Sequence, residues 1–399
     1  NTMKCILHIG LQKCGSTSLQ RWLFANREAL KDHGVLYPET LGTPNHTFLT
    51  ALSMGFARKH WVIEDTGARN LKEFKFWKQR VDRHFKKELG ALSGRVETVV
   101  ISHEDLSTLG DVSAERCMRW LREYFDDIHV IGYVRPPAEL ANSFLSQRAK
   151  NGIVSDPAAY LDGFGVNFTR IAARWSTHSD DARWRSLSQI GDVVGDFCSV
   201  LKLDPGAFKA IPRTNQALSK ETFDLLLHLN LQFRVGDRKN FNKTMFVEEL
   251  PNQRSFKISR TDAEDIQARH AAEIESFLAL APEIAAKDLE IDPERYPEEA
   301  ILTSAPPPYI PELRYIIPRL NAQIWIEKSI GRMNLAEAMI LKGNKMRAKQ
   351  LLGAAGAHLN RAAQVDAGRV KSDVSNLRLR LRKMKARVDT MSSRGRKRP

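Results

Sequence analysis

Near its start the chain reads Cys5-Ile6-Leu7-His8-Ile9-Gly10-Leu11-Gln12-Lys13-Cys14-Gly15-Ser16-Thr17-Ser18. The first part is an apolar run that predicts a buried strand, and the second combines glycine, lysine and hydroxyl residues ahead of a predicted helix. In such a strand–loop–helix unit, backbone N–H groups and the positive end of the helix dipole point at one place, and a lysine adds a full charge. The sequence therefore predicts a phosphate-binding loop.

The position of the lysine separates two kinds of phosphate loop. In a nucleoside-triphosphate loop, G-x-x-x-x-G-K-[ST], the lysine follows the second glycine. Here Gly10 and Gly15 have that separation, but Ser16 follows Gly15 and the lysine is Lys13. The pattern K-x-G-[ST]-[ST] resembles the loop of sulfotransferases, which use 3′-phosphoadenosine 5′-phosphosulfate (PAPS). The similarity is greatest to bacterial and Golgi-type carbohydrate sulfotransferases.

This resemblance implies a role for each residue of the loop. Lys13 would stabilise the leaving phosphate of PAPS, and the product would be 3′,5′-adenosine bisphosphate (PAP). The residues that would hold the 5′-phosphosulfate are Lys13, Cys14, Gly15, Ser16, Thr17 and Ser18. The reaction needs no metal, and we expect none, because the sequence offers no convincing acidic magnesium site.

A second motif follows about 120 residues later. The apolar run Ile128–Val134 predicts a buried parallel strand that ends at Arg135, and Ser143 comes eight residues after Arg135 on a predicted helix. In sulfotransferases, an arginine and a serine in these positions hold the 3′-phosphate of PAPS. A guanidinium fork and a hydroxyl are suitable donors for phosphate oxygens. Two phosphate sites in this order fit a nucleotide phosphorylated at both its 5′ and 3′ positions.

The base that takes the acceptor's proton has three candidates. The predicted strand 98–102 is followed by His103 and Glu104, and strand alternation places only one of these two side chains toward the site. Cytosolic sulfotransferases carry a histidine there and bacterial relatives a glutamate; we place Glu104 first. His46 resembles a histidine after the first helix of bacterial members. His46 is therefore the third candidate, either as the base or as a residue that contacts the acceptor molecule.

The acceptor is less well defined by the sequence. The resemblance implies a hydroxyl or amine on a carbohydrate or glycolipid. Gln147 and Lys150 lie one and nearly two turns after Ser143, and either could contact this acceptor or belong to a solvated helix face.

Composition and cysteine usage limit the class of protein. Of the 399 residues, 42% are hydrophobic and 27% are charged, which is ordinary for a globular protein. We find no apolar run of membrane-spanning length and no signal-peptide pattern, so we expect a cytoplasmic, bacterial enzyme. The four cysteines lack metal-ligand spacing, and we expect the loop to lower the thiol pKa of Cys14, which we do not assign as a nucleophile.

The alternation of strands and helices predicts an α/β fold, with a P-loop-NTPase-like parallel sheet flanked by helices and a C-terminal helical appendage. We expect one helix from Thr17 to about Asp32 and a mostly helical region over residues 160–295. The predicted domains are a sulfotransferase domain (1–300), a Pro-rich linker (301–319), a helical, tetratricopeptide-like appendage (320–370) and a basic tail (371–399).

The tail holds eleven Lys or Arg and two Asp, and so carries nine of the chain's fourteen net positive charges. We interpret it mainly as a solvated or disordered segment, with contact to an anionic surface as the alternative, and a homo-oligomer is possible. Two other functions remain open at this point. One is a P-loop nucleotide kinase or NTPase; the other is a non-catalytic scaffold that uses the appendage and tail to bind partners.

Overall fold

The computed structural model describes residues 3–56, 60–153, 156–212, 218–232, 255–298, 313–341, 345–365 and 371–390. The chain divides into two compact units. The first, here called the α/β unit, comprises Asn1–Phe144, Ala158–Ala217 and Lys257–Ile301; the second, the helical unit, comprises Leu145–Pro157, Leu218–Phe256 and Leu302–Pro399. The helical unit thus includes two segments of the predicted first domain. The prolines 306–308 of the predicted linker and the last basic residues, 391–399, lie outside the described residues.

The sheet of the α/β unit has five described strands, all parallel, in the order β2-β3-β1-β4-β5. They are β1 (Lys4–His8), β2 (Val35–Leu36), β3 (Thr98–Ser102), β4 (Asp127–Val134) and β5 (Asp181–Ser186). Strands β1, β3 and β4 are apolar and buried along most of their length, as parallel strands covered on both faces are. The predicted α/β class, with its parallel sheet, is confirmed.

The register of the three central strands brings their carboxyl ends to one edge of the sheet. His8, the last residue of β1, pairs with Ser102, the last residue of β3, on one side and with Ile131 of β4 on the other. Later strands therefore flank β1 on both sides. Ligands of open parallel sheets bind beyond the carboxyl ends of the strands, where the strand order reverses. The segments that follow β1, β3 and β4 meet at that position.

Helices flank this sheet. In chain order the helices of the two units are α1 (Ser16–Ala25), α2 (Arg27–Asp32), α3 (Thr47–Met54), α4 (Trp61–Glu64), α5 (Leu71–Gly90), α6 (Asp111–Leu121), α7 (Pro137–Lys150), α8 (Pro157–Asp162), α9 (Phe168–His178), α10 (Leu187–Ile190), α11 (Val193–Leu201), α12 (Lys220–Gln232), α13 (Arg260–Arg269), α14 (Ala271–Leu278), α15 (Leu313–Leu341), α16 (Lys345–Val365) and α17 (Lys371–Thr390). In the α/β unit, α1 packs against α11, and α3, α6, α9 and α14 pack in a second row.

The single helix predicted from Thr17 to Asp32 is broken at Asn26. The Asn26 side chain is buried; its Oδ1 accepts from the N–H of Lys209 at 2.9 Å, and its Nδ2 donates to the Lys209 carbonyl at 3.0 Å. Both bonds join positions 183 residues apart, so the local apolar pattern could not predict the break. The helical prediction was wrong at this point because a long-range contact outweighs local propensity.

Strand β5 lies within the region that was predicted to be mostly helical. Its sequence, Asp-Ala-Arg-Trp-Arg-Ser, lacks an apolar run, as is typical of an edge strand, and no further described strand pairs with its outer side. Trp184 of β5 is buried, and its ring lies over Gly132 of β4. A Cβ added to Gly132 would come within 2.2 Å of that ring.

The helical unit is built around the three helices α15, α16 and α17. Their apolar core includes Trp325, Met333, Leu352, Leu359, Val374, Leu381, Met384 and Val388. The interpretation of residues 371–390 as a solvated tail was therefore wrong: α17 buries one face against the bundle and leaves its basic residues on the other. Helix α15 also begins at Leu313, within the predicted linker. None of the helices in the described parts of the chain is both long and apolar enough to cross a membrane.

Replacement of Gly132 by alanine tests the packing of β5 on the sheet. We expect Gly132→Ala to lower the free energy of unfolding by about 1–3 kcal/mol, because the added methyl group overpacks the Trp184 ring. Urea denaturation measures this loss. Gly90→Ala, where an added Cβ meets no atom within 4 Å, is the matched control and should not lower stability, because alanine is favoured over glycine in a helix. Equal stability of the two variants would contradict the packing of Trp184.

Candidate functional site

The loop after β1 turns sharply before it enters α1. Three of its residues have positive φ: Gly10 at 53°, Lys13 at 68° and Gly15 at 82°. The N–H groups of Ser18 and Leu19 bond to the carbonyl of Gly15, which caps α1. The N–H groups of the first two helical residues have no acceptor within the helix, as at any helix N-terminus. They and the helix dipole make this loop suited to an anion.

Glycine is required at position 10 because two parts of the site meet there. A Cβ on Gly10 would lie 2.7 Å from the Ser16 hydroxyl oxygen and 2.9 Å from the Cα of Glu104. The chain after β3 therefore passes directly over the loop, and Ser16 lies beside both. Lys13 holds its positive φ although it has a side chain, a conformation that costs on the order of 1 kcal/mol. Such strain is concentrated at functional sites.

Ser16 and Arg135 each have a buried polar atom at this edge that finds no partner among the described residues. The Ser16 side chain is 2% exposed, and its hydroxyl makes no hydrogen bond. The Nε of Arg135 is also buried without a partner. An unsatisfied buried donor is costly, and most native donors are paired. A phosphate or sulfate oxygen bound in the loop would satisfy such groups, so these residues fit an oxyanion.

Arg135 connects the end of β4 to the loop. Its Nη2 donates to the carbonyl of Lys13. Its charge and a hydrogen bond also act on the thiol of Cys14. Arg135 was predicted to hold a 3′-phosphate together with Ser143. In the structure Arg135 also contacts the loop itself, through the carbonyl of Lys13. Ser143 is half-buried on α7. Their joint role stays a prediction.

Four charged or polar side chains near Arg135 were missed by sequence analysis. Arg135 acts electrostatically on the phenol of Tyr296, and the Nζ of Lys257 lies 5.1 Å from the Tyr296 ring centroid. Arg295 forms a 3.8 Å ion pair with Glu139. These residues come from the start of α7 and from segments more than 100 residues beyond it. No motif or periodicity in the sequence connects them to Arg135.

Glu104 begins the 3₁₀ turn Glu104–Thr108 that follows β3. Burial, together with the neighbouring Asp105 carboxylate, raises the pKa of Glu104, and the nearby Lys13 ammonium opposes this shift. The Nε2 of Gln12 donates to Asp105 at 3.1 Å, which joins the loop to the turn. A carboxylate with a raised pKa beside a lysine is a reasonable proton acceptor.

His103 lies on the opposite side of the chain from Glu104. It is 1% exposed, and its Nδ1 lies 2.7 Å from the Thr50 hydroxyl on α3. Burial lowers the pKa of His103 to about 4. The alternation expected after β3 therefore directs His103 into the protein and Glu104 toward the loop. This geometry disfavours His103 as the base.

His46 is a structural residue in this fold. It is fully buried; its Nε2 donates to the carbonyl of Pro38 at 2.8 Å, and its Nδ1 accepts from the Ser102 N–H at 2.9 Å. Both ring nitrogens are therefore in use, and burial lowers the pKa of His46 to about 3. The prediction that His46 serves as a base or acceptor contact conflicts with this geometry. Its bonds tie the segment after β2 to the end of β3.

Two further predicted residues are on α7. Gln147 is exposed and Lys150 is half-buried. Both belong to the segment of α7 that is assigned to the helical unit, whereas Arg135 and Ser143 belong to the α/β unit. Their contact with an acceptor stays a prediction.

The expected activation of Cys14 is wrong. Its thiol is completely buried, and burial raises its pKa to about 11, although Arg135 and Lys13 act in the opposite direction. Desolvation of the thiolate outweighs the neighbouring positive charges. Cys14 is therefore a small packing residue of the loop.

Within the described residues, no group of three or more His, Cys, Asp or Glu is arranged to hold a metal ion. Comparison of the chain with protein-family models, with curated proteins and with solved structures found no significant match.

Thiol reactivity tests the burial of the loop. All four cysteines are buried and have raised pKa values. We expect no rapid reaction of the folded protein with Ellman's reagent at pH 8, since thiols with pKa values of about 11 or higher stay protonated there. In guanidinium chloride we expect all four thiols to react. A rapidly reacting thiol that disappears in Cys14→Ser would contradict the buried position of Cys14.

Proposed function

We propose that this chain is a sulfotransferase that moves the sulfuryl group of PAPS to a hydroxyl or amine of a carbohydrate or glycolipid and releases PAP. The observation that supports this proposal most directly is the loop lysine. Lys13 lies within a positive-φ loop, and its charge acts on Glu104, which crosses the loop at Gly10. The Lys13 ammonium and the Glu104 carboxylate thus act on each other at the loop to which we assign the anion.

The 5′-phosphosulfate would bind at the N-terminus of α1. The unpaired Ser16 hydroxyl and the first N–H groups of α1 are donors for its oxygens. Thr17 and Ser18, both half-buried, add hydroxyls on the first turn of the helix. Preorganised donors of this kind stabilise charge as it develops, without reorganisation.

The 3′-phosphate would bind beside Arg135. Its Nη2 is engaged with the Lys13 carbonyl, but its buried Nε has no partner and remains available to a phosphate oxygen. Ser143 is the second donor that we assign here. Lys257 and Tyr296 lie near Arg135 on the same unit. Lys257 adds a second positive charge beside the proposed 3′-phosphate site.

The transfer is an in-line displacement at sulfur. The acceptor oxygen or nitrogen forms a bond to sulfur as the bond from sulfur to the bridging phosphate oxygen breaks. The electron pair of the broken bond stays on that oxygen, and the Lys13 ammonium stabilises its charge. The acceptor's proton passes to Glu104. General base catalysis of this kind contributes roughly 10²–10⁴-fold to a rate.

Glu104 is the proposed base, rather than His103 or His46, because of its position and surroundings. It lies over the loop, and its carboxyl has a raised pKa. The bond from Gln12 to Asp105 holds the turn against the loop. The carbohydrate class of the acceptor, and the contacts assigned to Gln147 and Lys150, rest on the resemblance alone.

The role of Arg135 can be tested by nucleotide selectivity. We expect Arg135→Ala to weaken binding of PAP by about tenfold to a hundredfold, the range for loss of a charge-assisted hydrogen bond, and to weaken binding of 5′-AMP much less. Isothermal titration calorimetry measures both affinities. Arg119→Ala, which removes an arginine that is 73% exposed, is the control and should change neither. Equal weakening for both nucleotides would refute the assignment of Arg135 to the 3′-phosphate.

The pH dependence of Glu104 provides a second test. Because its pKa is raised, the carboxylate forms only at a pH above that of an ordinary glutamate, and the transfer rate should rise with pH through that raised value. Glu104→Gln should lose this dependence and about a hundredfold or more of the rate. Carboxyl ¹³C NMR, with Glu104→Gln to identify the signal, measures the titration without an acceptor. Titration at or below the ordinary glutamate pKa would contradict the assignment.

A further inference from the structure

The helical unit contains a cluster of cations around one tryptophan. Trp325 of α15 is 8% exposed, and His358 of α16 stacks on it, with ring centroids 5.1 Å apart and an interplanar angle of 23°. The Nζ of Lys328 lies 4.7 Å from the Trp325 ring centroid, and the guanidinium carbon of Arg361 lies 4.8 Å from it. We call these residues, with Arg332, the Trp325 cluster.

Like charges accumulate in the Trp325 cluster. Burial is the main cause of a lowered pKa at His358, and Arg332, Arg361 and Lys328 each add to it, so all three cations lie close to the imidazole. Among the described residues, none of these three cations forms an ion pair with a carboxylate. Cation–π contacts hold Lys328 and Arg361 against the ring, so their charges are already fixed in position.

Several other basic residues of the bundle have partners. On α17, Arg380 and Arg387 pair with Glu337 of α15, and Arg378 donates to the Asn360 side chain at 2.9 Å. These contacts fasten α17 to its neighbours. Among the described residues, the three cations of the Trp325 cluster form no such ion pair; Lys328 and Arg361 contact the Trp325 ring instead.

Two buried polar atoms of the cluster also lack a partner. The indole Nε1 of Trp325 and the Nδ1 of His358 are both inaccessible and make no hydrogen bond in the described structure. They belong to the two stacked rings, and so lie within the same group of cations. Fixed cations beside an unsatisfied indole N–H are suited to an acceptor that carries negative charge.

We propose that the Trp325 cluster is a binding site for a compact oxyanion, a phosphate or sulfate monoester group carried by a small soluble molecule. Lys328, Arg332 and Arg361 supply the charge, and the Trp325 indole N–H donates to the bound oxygen. This site is separate from the loop at Lys13 and does not depend on the proposed sulfotransferase activity.

The indole N–H of Trp325 reports directly on this site. The chain has seven tryptophans, and Trp325→Phe identifies the Trp325 signal among their indole resonances in ¹H–¹⁵N NMR spectra of the full chain. The probes are inorganic phosphate, inorganic sulfate, glucose 6-phosphate and glucose 6-sulfate, each against chloride at equal ionic strength. We expect a saturable shift of the Trp325 signal with at least one oxyanion. Comparison of the two esters distinguishes a phosphorylated from a sulfated ligand.

The protein supplies matched controls for this titration. Trp175 and Trp184 also have buried indole nitrogens without partners, but they lie in the α/β unit, and their signals should not follow the Trp325 titration. Lys328→Gln combined with Arg361→Gln should weaken the response by about tenfold or more, while Lys383→Gln, on the exposed face of α17, should not. Lys13→Ala should titrate as the wild type does, which excludes an effect from the loop.

Three results would overturn the proposal. The first is a Trp325 signal that responds to none of the four probes. The second is a response to chloride equal to that to the oxyanions. The third is an unchanged titration in the Lys328→Gln, Arg361→Gln variant whose Trp175 and Trp184 signals show that it is folded.

Discussion

The close approach of two chain segments at Gly10 is the constraint on which the rest of the site depends. At this position the loop after β1 and the turn after β3 are so near that a single methyl group would collide with both Ser16 and Glu104. The parallel register of β1 and β3 brings the segments to the same edge, and the glycine allows them to touch. Lys13 and Glu104 therefore act on each other although they are 91 positions apart.

Burial and charge act in opposite directions at this edge, and their balance differs from one residue to the next. At Cys14, burial exceeds the influence of Arg135 and Lys13, and the thiol stays protonated. At Glu104, burial and Asp105 together exceed the influence of Lys13, and the pKa of the carboxyl is raised. Burial therefore keeps the thiol of Cys14 inert and brings the carboxylate of Glu104 closer to a working proton acceptor, in each case against the neighbouring positive charge.

The sequence predicted those features that depend on local pattern. The apolar runs located β1, β3 and β4, and the glycine spacing located the loop. Features that depend on distant contacts were not predictable: the break at Asn26 requires Lys209, and the structural role of His46 requires Pro38 and Ser102. Strand β5 was missed because an edge strand needs no apolar run. The packing of helix α17 on the bundle was missed because its four buried residues are sparse among many basic ones.

We propose that the loop at Lys13 and the surroundings of Arg135 together bind a nucleotide with phosphates at both its 5′ and 3′ positions. The most direct measurement is a calorimetric titration of the full chain with PAP, 5′-AMP and Mg·ATP, each with and without a chelator. We expect PAP to bind more tightly than the other two nucleotides, with an affinity that does not depend on metal. Preferential, magnesium-dependent binding of ATP, or no binding of any nucleotide, would contradict this proposal.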